Sequence, residues 1–214
     1  MRTKQKNLAA LFRSAVVIPV ISIERLEDAV PLAKALVAGG VRVLEVTLRT
    51  PVAIEAAKAI MADVPEAIVG IGTILNPADL ARAEALGAEF GISPGATPEL
   101  LPAAALSSLP FAPGIATASE LMQALAHGFE LVKFFPAESS GGIKALRALA
   151  GPFPDVRFCP TGGIGEANAA AWLSEPNVVA VGGSWLCPAA DIRSGNWAGI
   201  SAICNRTMKS LKPA

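Results

Sequence analysis

The chain has 214 residues, a length that a single α/β domain commonly fills. Hydrophobic residues make up 52% of it, which excludes intrinsic disorder, and its formal net charge of +0 provides no basic surface to attract nucleic acid. One histidine and three cysteines are too few ligands for a zinc or iron–sulfur centre. We therefore expect no metal, no cofactor and no nucleic-acid partner.

Membrane insertion and export are also disfavoured. The longest uncharged run, residues 100–119, is long enough to span a bilayer, but prolines interrupt it. Near the N-terminus, Arg13 ends a short apolar stretch, and no small-residue cleavage site follows it. Three widely spaced cysteines are typical of reduced thiols rather than of a disulfide framework. These features predict a cytoplasmic protein without a membrane partner.

Short β-branched runs alternate with Ala- and Leu-rich segments of helical periodicity along the whole chain. The predicted strands are Val16–Ile21, Val41–Thr47, Ala67–Ile71, Glu89–Ile92, Phe111–Ala112, Leu131–Phe135, Val156–Cys159 and Val178–Val181. The predicted helices are Leu26–Val37, Val52–Ala62, Pro77–Leu86, Pro98–Leu106, Ser119–His127, Ile143–Ala150, Glu166–Leu173 and Ala198–Leu211. An extra helix is expected before Val16.

Eight β–α units in this length favour an α/β fold of the closed (β/α)8 type, a TIM barrel. No linker or shift in composition divides the chain, so residues 1–214 are predicted to form one domain, whose N-terminal helix caps the bottom of the barrel. In such a barrel the chemistry lies at the C-terminal ends of the strands. The residues at those ends are therefore the candidates for a functional site.

Two ionisable residues occur inside otherwise apolar strands. Glu45 shares a face with Val41 and Val43, and the interior of the barrel is a plausible location for that face. Lys133 lies among Val and Phe residues, and the loss of hydration there favours the neutral, nucleophilic amine. Such an amine can form a Schiff base with a ketone. Equally, the two residues can form a structural ion pair or Lys133 can extend to solvent, and the residues alone do not decide between these readings.

Two glycine-rich turns follow the seventh and eighth predicted strands. They are Thr161-Gly162-Gly163 and Gly182-Gly183-Ser184. Barrels frequently bind phosphate between these two loops, where exposed backbone N–H groups point at the oxygens. Ordinary loop glycines with positive φ are the alternative. Two such turns at these positions favour a phosphorylated small molecule as ligand, with Ser184 as an added hydroxyl donor.

Other strand ends offer weaker candidates. Arg49 follows the second strand, where a guanidinium can hold a carboxylate through two hydrogen bonds or take part in a surface salt bridge. Thr73 can donate to the same carboxylate or only end its strand, and Pro94 can shape a loop.

Five segments together resemble the family of 2-keto-3-deoxy-6-phosphogluconate (KDPG) aldolases, class I enzymes that often also act on 4-hydroxy-2-oxoglutarate (KHG). The segments are residues 39–49, Gly70-Ile71-Gly72-Thr73, Ile92-Ser93-Pro94-Gly95, Lys133-Phe134-Phe135-Pro136-Ala137-Glu138 and residues 157–163. The similarity extends from the Ile18-Pro19-Val20 strand to the Gly182-Gly183-Ser184-Trp185 turn.

The resemblance implies a role for each matching residue. Lys133 forms the Schiff base and Glu45 is the general acid and base. Arg49 and Thr73 hold the pyruvate carboxylate, with Pro94 and Phe135 in the substrate site, and Thr161 senses the stereochemistry of the carbon that is cleaved. The residues that receive the phosphate are Gly162, Gly163, Gly183 and Ser184. The resemblance further implies a homotrimer that needs no metal.

Three alternatives stay open at this point. An aldolase for the galactonate-derived epimer would use the same residues, and Thr161 alone offers discrimination. A phosphate-binding barrel isomerase or epimerase would use Glu45 and the glycine loops without an imine. A non-catalytic binding protein would keep the phosphate site and show no exchange of pyruvate methyl protons with solvent.

Overall fold

The computed structural model describes residues 1–211, and the last three residues of the predicted domain, 212–214, lie outside this range. Within the range the chain forms nine strands, ten α-helices and a 3-10 helix at Leu26–Asp28. The strands are β1 (Val17–Ile21), β2 (Val43–Thr47), β3 (Ile68–Gly72), β4 (Phe90–Ile92), β5 (Phe111–Ala112), β6 (Gly114–Ile115), β7 (Leu131–Phe134), β8 (Arg157–Pro160) and β9 (Val181–Gly183). The helices are α1 (Arg2–Ala15), α2 (Ala29–Ala38), α3 (Ala53–Asp63), α4 (Pro77–Leu86), α5 (Leu100–Leu106), α6 (Ala118–Ala126), α7 (Gly142–Ala150), α8 (Ala169–Leu173), α9 (Ala189–Ser194) and α10 (Trp197–Leu211).

The strands form two parallel sheets. Six strands follow the order β5-β4-β3-β2-β1-β9, and three follow the order β6-β7-β8. Only Pro113 separates β5 from β6, and a proline has no N–H to donate to a ladder. Phe111 pairs with Gly91 of the first sheet, whereas Gly114 pairs with Lys133 of the second. The alternation of strands and helices and the parallel pairing are confirmed.

A complete eight-stranded barrel is not confirmed, since nine strands are divided between two sheets. Between β8 and β9 the contact consists of two isolated parallel bridges, Phe158 to Val178 and Thr161 to Gly182. The last predicted strand, Val178–Val181, is displaced, because the Val178 amide donates within a turn to Glu175 at 3.1 Å. Regular pairing begins only at Val181, which is opposite Val17.

Smaller differences concern the helices. The predicted helix at Leu26–Val37 begins with the 3-10 turn, so α2 itself starts at Ala29. The predicted helix at Glu166–Leu173 is regular only from Ala169, because Asn168 uses its side chain to accept a hydrogen bond from the Gly165 amide. Helix α9 was not predicted from the sequence, since six residues are too few to show a helical period.

The N-terminal helix packs against the starts of the strands. Leu8 and Phe12 of α1 join an inner cluster with strand residues that include Val43, Phe90 and Leu131. The Phe12 and Phe90 rings meet edge to face at 5.2 Å. Buried Gln5 donates to the Phe111 carbonyl at 2.8 Å and accepts from the Leu131 amide at 2.9 Å. The extra helix is therefore confirmed, and it covers the N-terminal ends of β4, β5 and β7.

The other helices pack on the outer faces of the sheets in a second, larger apolar cluster. Within residues 1–211, no helix has the length and apolar character needed to cross a membrane.

Candidate active site

The inner faces of three strands change from apolar to polar at one level. Val43, Leu131 and Cys159 belong to the inner cluster. Because side chains two residues apart share a face, Glu45, Lys133 and Thr161 extend from the same faces one layer nearer the C-terminal ends. These three polar side chains therefore lie above an apolar floor.

Glu45 and Lys133 form a buried ion pair across the two sheets. The Lys133 ammonium donates to Glu45 Oε1 at 3.2 Å, and the residues are 4% and 1% exposed, respectively. They come from β7 and β2, 88 positions apart in the chain. Removing two charges from water is costly, and ionisable groups held this way cluster at functional sites. This geometry favours a functional pair over a lysine that extends to solvent.

Glycines make room for this pair. A Cβ on Gly72 would lie 2.6 Å from Glu45 Cγ, so the carboxylate has its position because residue 72 has no side chain. A Cβ on Gly114, the register partner of Lys133, would lie 2.6 Å from the Gly95 amide and would also collide with Pro94. The missing side chain therefore brings Pro94 against the strand that pairs with Lys133.

Thr73 has an unusual backbone conformation. It follows Gly72 and has φ of 61°, a left-handed value that a β-branched residue rarely adopts. Strain of this kind persists where the surrounding structure imposes it, and such positions cluster at ligand sites. The strained Thr73 lies at the C-terminal end of β3, beside the strand that carries Glu45.

A cavity of about 200 Å³ opens next to the pair at the C-terminal ends of the strands. Phe135, whose ring centroid lies 5.3 Å from the Lys133 ammonium, forms part of its wall. The cavity is lined by Val20, Arg49, Phe135, Thr161, Gly162, Gly163, Ile164, Gly183 and Ser184. Arg49 is exposed, and no carboxylate within residues 1–211 forms a salt bridge with it, so its guanidinium is available to an anion.

Residues 161–165, here called the glycine loop, turn the carbonyls of Thr161 and Gly162 away from the cavity. The Ala137 amide donates to the Thr161 carbonyl at 2.8 Å, and the Glu138 amide donates to the Gly162 carbonyl at 3.1 Å. Because C=O and N–H point in opposite directions in a trans peptide, the amides of Gly162 and Gly163 face the other way. No acceptor within residues 1–211 takes a hydrogen bond from either amide.

Two glycines of the loop have backbone conformations that other residues adopt only with strain. Gly162 and Gly163 have φ of 101° and 78°, values at which any side chain is strained. Successive unpaired amides in such a conformation form a concave site for an anion. The first of the two glycine-rich turns thus has the backbone that such a site needs, and the second, through Gly183 and Ser184, lines the same cavity.

The structure thus brings the predicted site residues into one region. Seven line the cavity: Arg49, Phe135, Thr161, Gly162, Gly163, Gly183 and Ser184. Glu45 and Lys133 are buried, Thr73 ends the neighbouring strand, and Pro94 contacts Gly114. Sequence reasoning missed Val20 and Ile164 as lining residues. The alternation of Ile18 and Val20 along β1 was the available signal for Val20.

A larger cavity, of about 350 Å³, lies at the opposite end between α1 and the starts of β7 and β8. The chemistry is not expected there, because this cavity lies at the N-terminal ends of the strands, where Gln5 ties α1 to β5 and β7, whereas ligands of parallel α/β sheets bind at the C-terminal ends. Among residues 1–211, no group of three His, Cys, Asp or Glu side chains is placed to hold a metal ion.

A family model described as "KDPG and KHG aldolase" matches residues 8–203, most of the chain. The chain belongs to the KDPG and KHG aldolase family. It is 50% identical over 212 residues to the KHG/KDPG aldolase of Escherichia coli K12, covering 99% of this chain and 100% of that protein. As members of this family are lyases, the chain is a carbon–carbon lyase of the aldolase type.

Two solved structures of family members superpose closely. A KDPG aldolase from Legionella pneumophila, with pyruvate captured as a covalent carbinolamine, has a TM-score of 0.91 and 50% identity, over 93% of this chain and 97% of that one. The KDPG aldolase of Zymomonas mobilis ZM4 with 3-phosphoglycerate has a TM-score of 0.91 and 45% identity, over 98% of both chains.

The buried thiols of this aldolase lead to a prediction about alkaline pH. Burial raises the pKa of Cys159 and Cys187 to about 12 and that of Cys204 to about 11. Above the ordinary thiol pKa, the unfolded chain loses protons that the folded chain keeps, so stability is full below pH 8.5 and falls as pH rises. We expect the free energy of unfolding to fall ever more steeply through this range, towards a limit of about 1.4 kcal/mol per pH unit for each thiol.

Urea unfolding between pH 8 and pH 9.5 measures this slope. The chain has no tyrosine, so no phenol titrates alongside the thiols. Cys187→Ala removes one of the three groups and should make the pH dependence shallower by one thiol's share. Identical slopes for this variant and the wild type would show that Cys187 ionises equally in both states.

Proposed function

We propose that the chain cleaves KDPG to pyruvate and glyceraldehyde 3-phosphate through a Schiff base on Lys133, and that it also acts on KHG. One observation carries the proposal. A buried lysine, 3.2 Å from a carboxylate, lies beside a cavity with unpaired backbone amides at its rim. That arrangement provides a nucleophile and a proton carrier near a site for an anion.

The reaction follows from these groups. Lys133 first passes a proton to Glu45, and the neutral Nζ adds to the C2 ketone to give a carbinolamine. Glu45 returns that proton to the departing hydroxyl, and loss of water leaves a protonated imine. Glu45 removes the proton of the C4 hydroxyl, the C3–C4 bond breaks, and its electrons reach the imine as an enamine while the aldehyde leaves. Glu45 returns a proton to C3, and water then hydrolyses the imine to release pyruvate and restore the amine.

Binding roles are assigned by location and by the resemblance. The unpaired amides of Gly162 and Gly163, with Gly183 and Ser184 opposite them in the cavity, would receive the phosphate. Arg49 and Thr73 would hold the pyruvate carboxylate, since Arg49 lines the cavity and no carboxylate within residues 1–211 pairs with it. Pro94 and Phe135 would shape the pyruvate end. Thr161, level with Lys133, would contact the carbon that is cleaved.

The relatives support this assignment through what their structures contain. Pyruvate forms a covalent carbinolamine in the Legionella pneumophila aldolase, as the lysine chemistry requires. A phosphorylated three-carbon acid accompanies the Zymomonas mobilis aldolase, which fits a site for a phosphate at the glycine loop.

We also propose that the two sheets close into one (β/α)8 barrel and that residues 1–214 act as one domain. The continuity of β5 and β6 through Pro113 and the two bridges between β8 and β9 support the closure. The inner cluster, which takes side chains from strands of both sheets, supports a single unit. A homotrimer is proposed from the resemblance alone, whereas a cytoplasmic location is proposed from the three widely spaced cysteines, which are typical of reduced thiols.

Turnover of both epimers, followed by detection of pyruvate and of glyceraldehyde 3-phosphate, tests the proposed function. Selective cleavage of the gluconate-derived substrate is expected. Preference for the galactonate-derived epimer would transfer the assignment to that substrate. Isomerisation of a phosphorylated sugar without pyruvate release, or no exchange of pyruvate methyl protons, would exclude the aldolase.

Arg49→Ala tests the carboxylate role. Because a charge-assisted hydrogen bond to an ion contributes about 1.5–3 kcal/mol, we expect the KM for pyruvate in the reverse reaction to rise about tenfold or more. Arg42→Ala is the matched control, since Arg42 is exposed at the other end of β2 and donates to the Glu66 carbonyl. Equal effects of the two variants would contradict the assignment.

A further inference from the structure

We propose that Glu138 and Asn168 are positioning residues that aim the glycine loop at the phosphate of the substrate. The inference rests on the proposed function and extends it to a layer of residues outside the cavity. Neither side chain lines the cavity, and the two lie 30 positions apart, in the β7–α7 and β8–α8 connections.

Both the nitrogen and the oxygen of the Asn168 side-chain amide form hydrogen bonds with neighbouring residues. Its Nδ2 donates to the Gly163 carbonyl at 3.1 Å and to Glu138 Oε1 at 3.0 Å, while its Oδ1 accepts from the Gly165 amide at 2.8 Å. Rotating the amide by half a turn would place its oxygen against two acceptors, so only one orientation satisfies all three contacts. The side chain therefore fixes the peptides on both sides of Ile164.

Glu138 in turn fixes Asn168. Its Oε1 also accepts from the Trp172 indole at 2.8 Å, and Trp172 is fully buried in α8. The stem of Glu138 lies directly beneath the loop, since a Cβ on Gly163 would be 2.7 Å from both Glu138 Cβ and Cγ. A rigid indole thus holds the carboxylate, and the carboxylate holds the amide.

The Asn168 contact also orients a third backbone amide at the cavity, that of Ile164. The Thr161 and Gly162 carbonyls are bound by backbone amides, but the Gly163 carbonyl is bound by the Asn168 side chain. Because a trans peptide is planar, this contact turns the Ile164 N–H the other way, and Ile164 lines the cavity. Within residues 1–211, no acceptor takes this N–H. Glu138 and Asn168 therefore complete a run of three unpaired donors.

A carboxylate close to a phosphate site repels a bound anion through its charge. Its two accepted hydrogen bonds both go to Oε1, however, so what the site needs from residue 138 is an oxygen acceptor at that position rather than its charge. Glu138→Gln retains such an oxygen, whereas Glu138→Ala removes it. This difference separates a positioning role from an electrostatic one.

The test compares Glu138→Ala, Glu138→Gln and Asn168→Ala with the wild type. Three quantities are measured: the KM for KDPG, the inhibition constant of inorganic phosphate, and the exchange rate of pyruvate methyl protons with solvent. For the two alanine variants we expect the KM and the inhibition constant to rise about five- to thirtyfold, as the loss of one or two hydrogen bonds implies. Pyruvate exchange should stay within about twofold, since it needs only the Lys133 end.

Glu138→Gln should remain close to the wild type. Glu166→Gln is the matched control, because Glu166 lies in the β8–α8 connection with Asn168 but pairs with Arg206 at 3.0 Å. An unchanged KM for KDPG in Asn168→Ala would overturn the proposal, even if Glu138→Ala fails to fold. Equal losses in KDPG cleavage and pyruvate exchange would overturn it too, by revealing a general structural effect. A wild-type chain that fails to cleave KDPG would instead remove the proposed function.

Discussion

Replacing Lys133 by alanine is expected to reduce aldol cleavage by more than about 10³-fold, because among residues 1–211 no other lysine is found at the cavity to form the imine. Borohydride reduction in the presence of pyruvate, followed by peptide mapping, measures the same chemistry directly. The wild type should carry a reduced pyruvate adduct on the peptide that contains Lys133, and the variant should carry none.

Two controls distinguish chemistry from folding. Lys133→Ala leaves Glu45 buried without its partner and also empties the space of the lysine side chain, and both changes are destabilising. Lys133→Met, a neutral side chain of similar length, restores that volume, so it removes the charge and the nucleophile without a cavity. Lys144→Ala removes an exposed lysine of α7 and should retain both turnover and trapping. A folded Lys133→Met variant with substantial activity would rule out the covalent mechanism.

Replacing Glu45 by glutamine is expected to slow cleavage by about 10²- to 10⁴-fold, the usual contribution of a general acid and base. The side chain keeps its shape and its contact with Lys133, so the nucleophile stays in place. The loss should appear in kcat, together with slower exchange of pyruvate methyl protons, because both need a proton carrier beside the imine.

Trapping with borohydride distinguishes imine formation by Lys133 from proton transfer by Glu45. Glu45→Gln should still form the adduct on Lys133, although its turnover is low. Glu89→Gln, an exposed carboxylate before β4, should behave as the wild type. If Glu45→Gln retained wild-type kcat, the buried pair would be structural and another group would have to move the protons.

The parts of the candidate site that could be predicted from the sequence are those marked by single residues of an unusual type for their position. A lysine and a glutamate inside apolar strands are visible without coordinates, and so are Gly162-Gly163 and Gly182-Gly183 after two strands. The break between β5 and β6 at Pro113 and the late start of β9 could not be predicted. They depend on which backbone amides have hydrogen-bond partners in neighbouring strands, and the local sequence pattern contains no information about those partners. The Glu138–Asn168 contact joins two connections 30 positions apart, and only the folded chain brings them together.

Helix α1, which covers the N-terminal ends of the strands, bears on the order in which the two products leave. With Leu8 and Phe12 closing one end, ligands enter and leave at the opposite end, where Ser184 is exposed. In the proposed mechanism pyruvate is still bonded to the buried lysine after cleavage, whereas the phosphorylated aldehyde lies nearer the opening. The aldehyde must therefore depart first and pyruvate last. In steady-state kinetics pyruvate would then inhibit competitively against KDPG, and the aldehyde would inhibit noncompetitively.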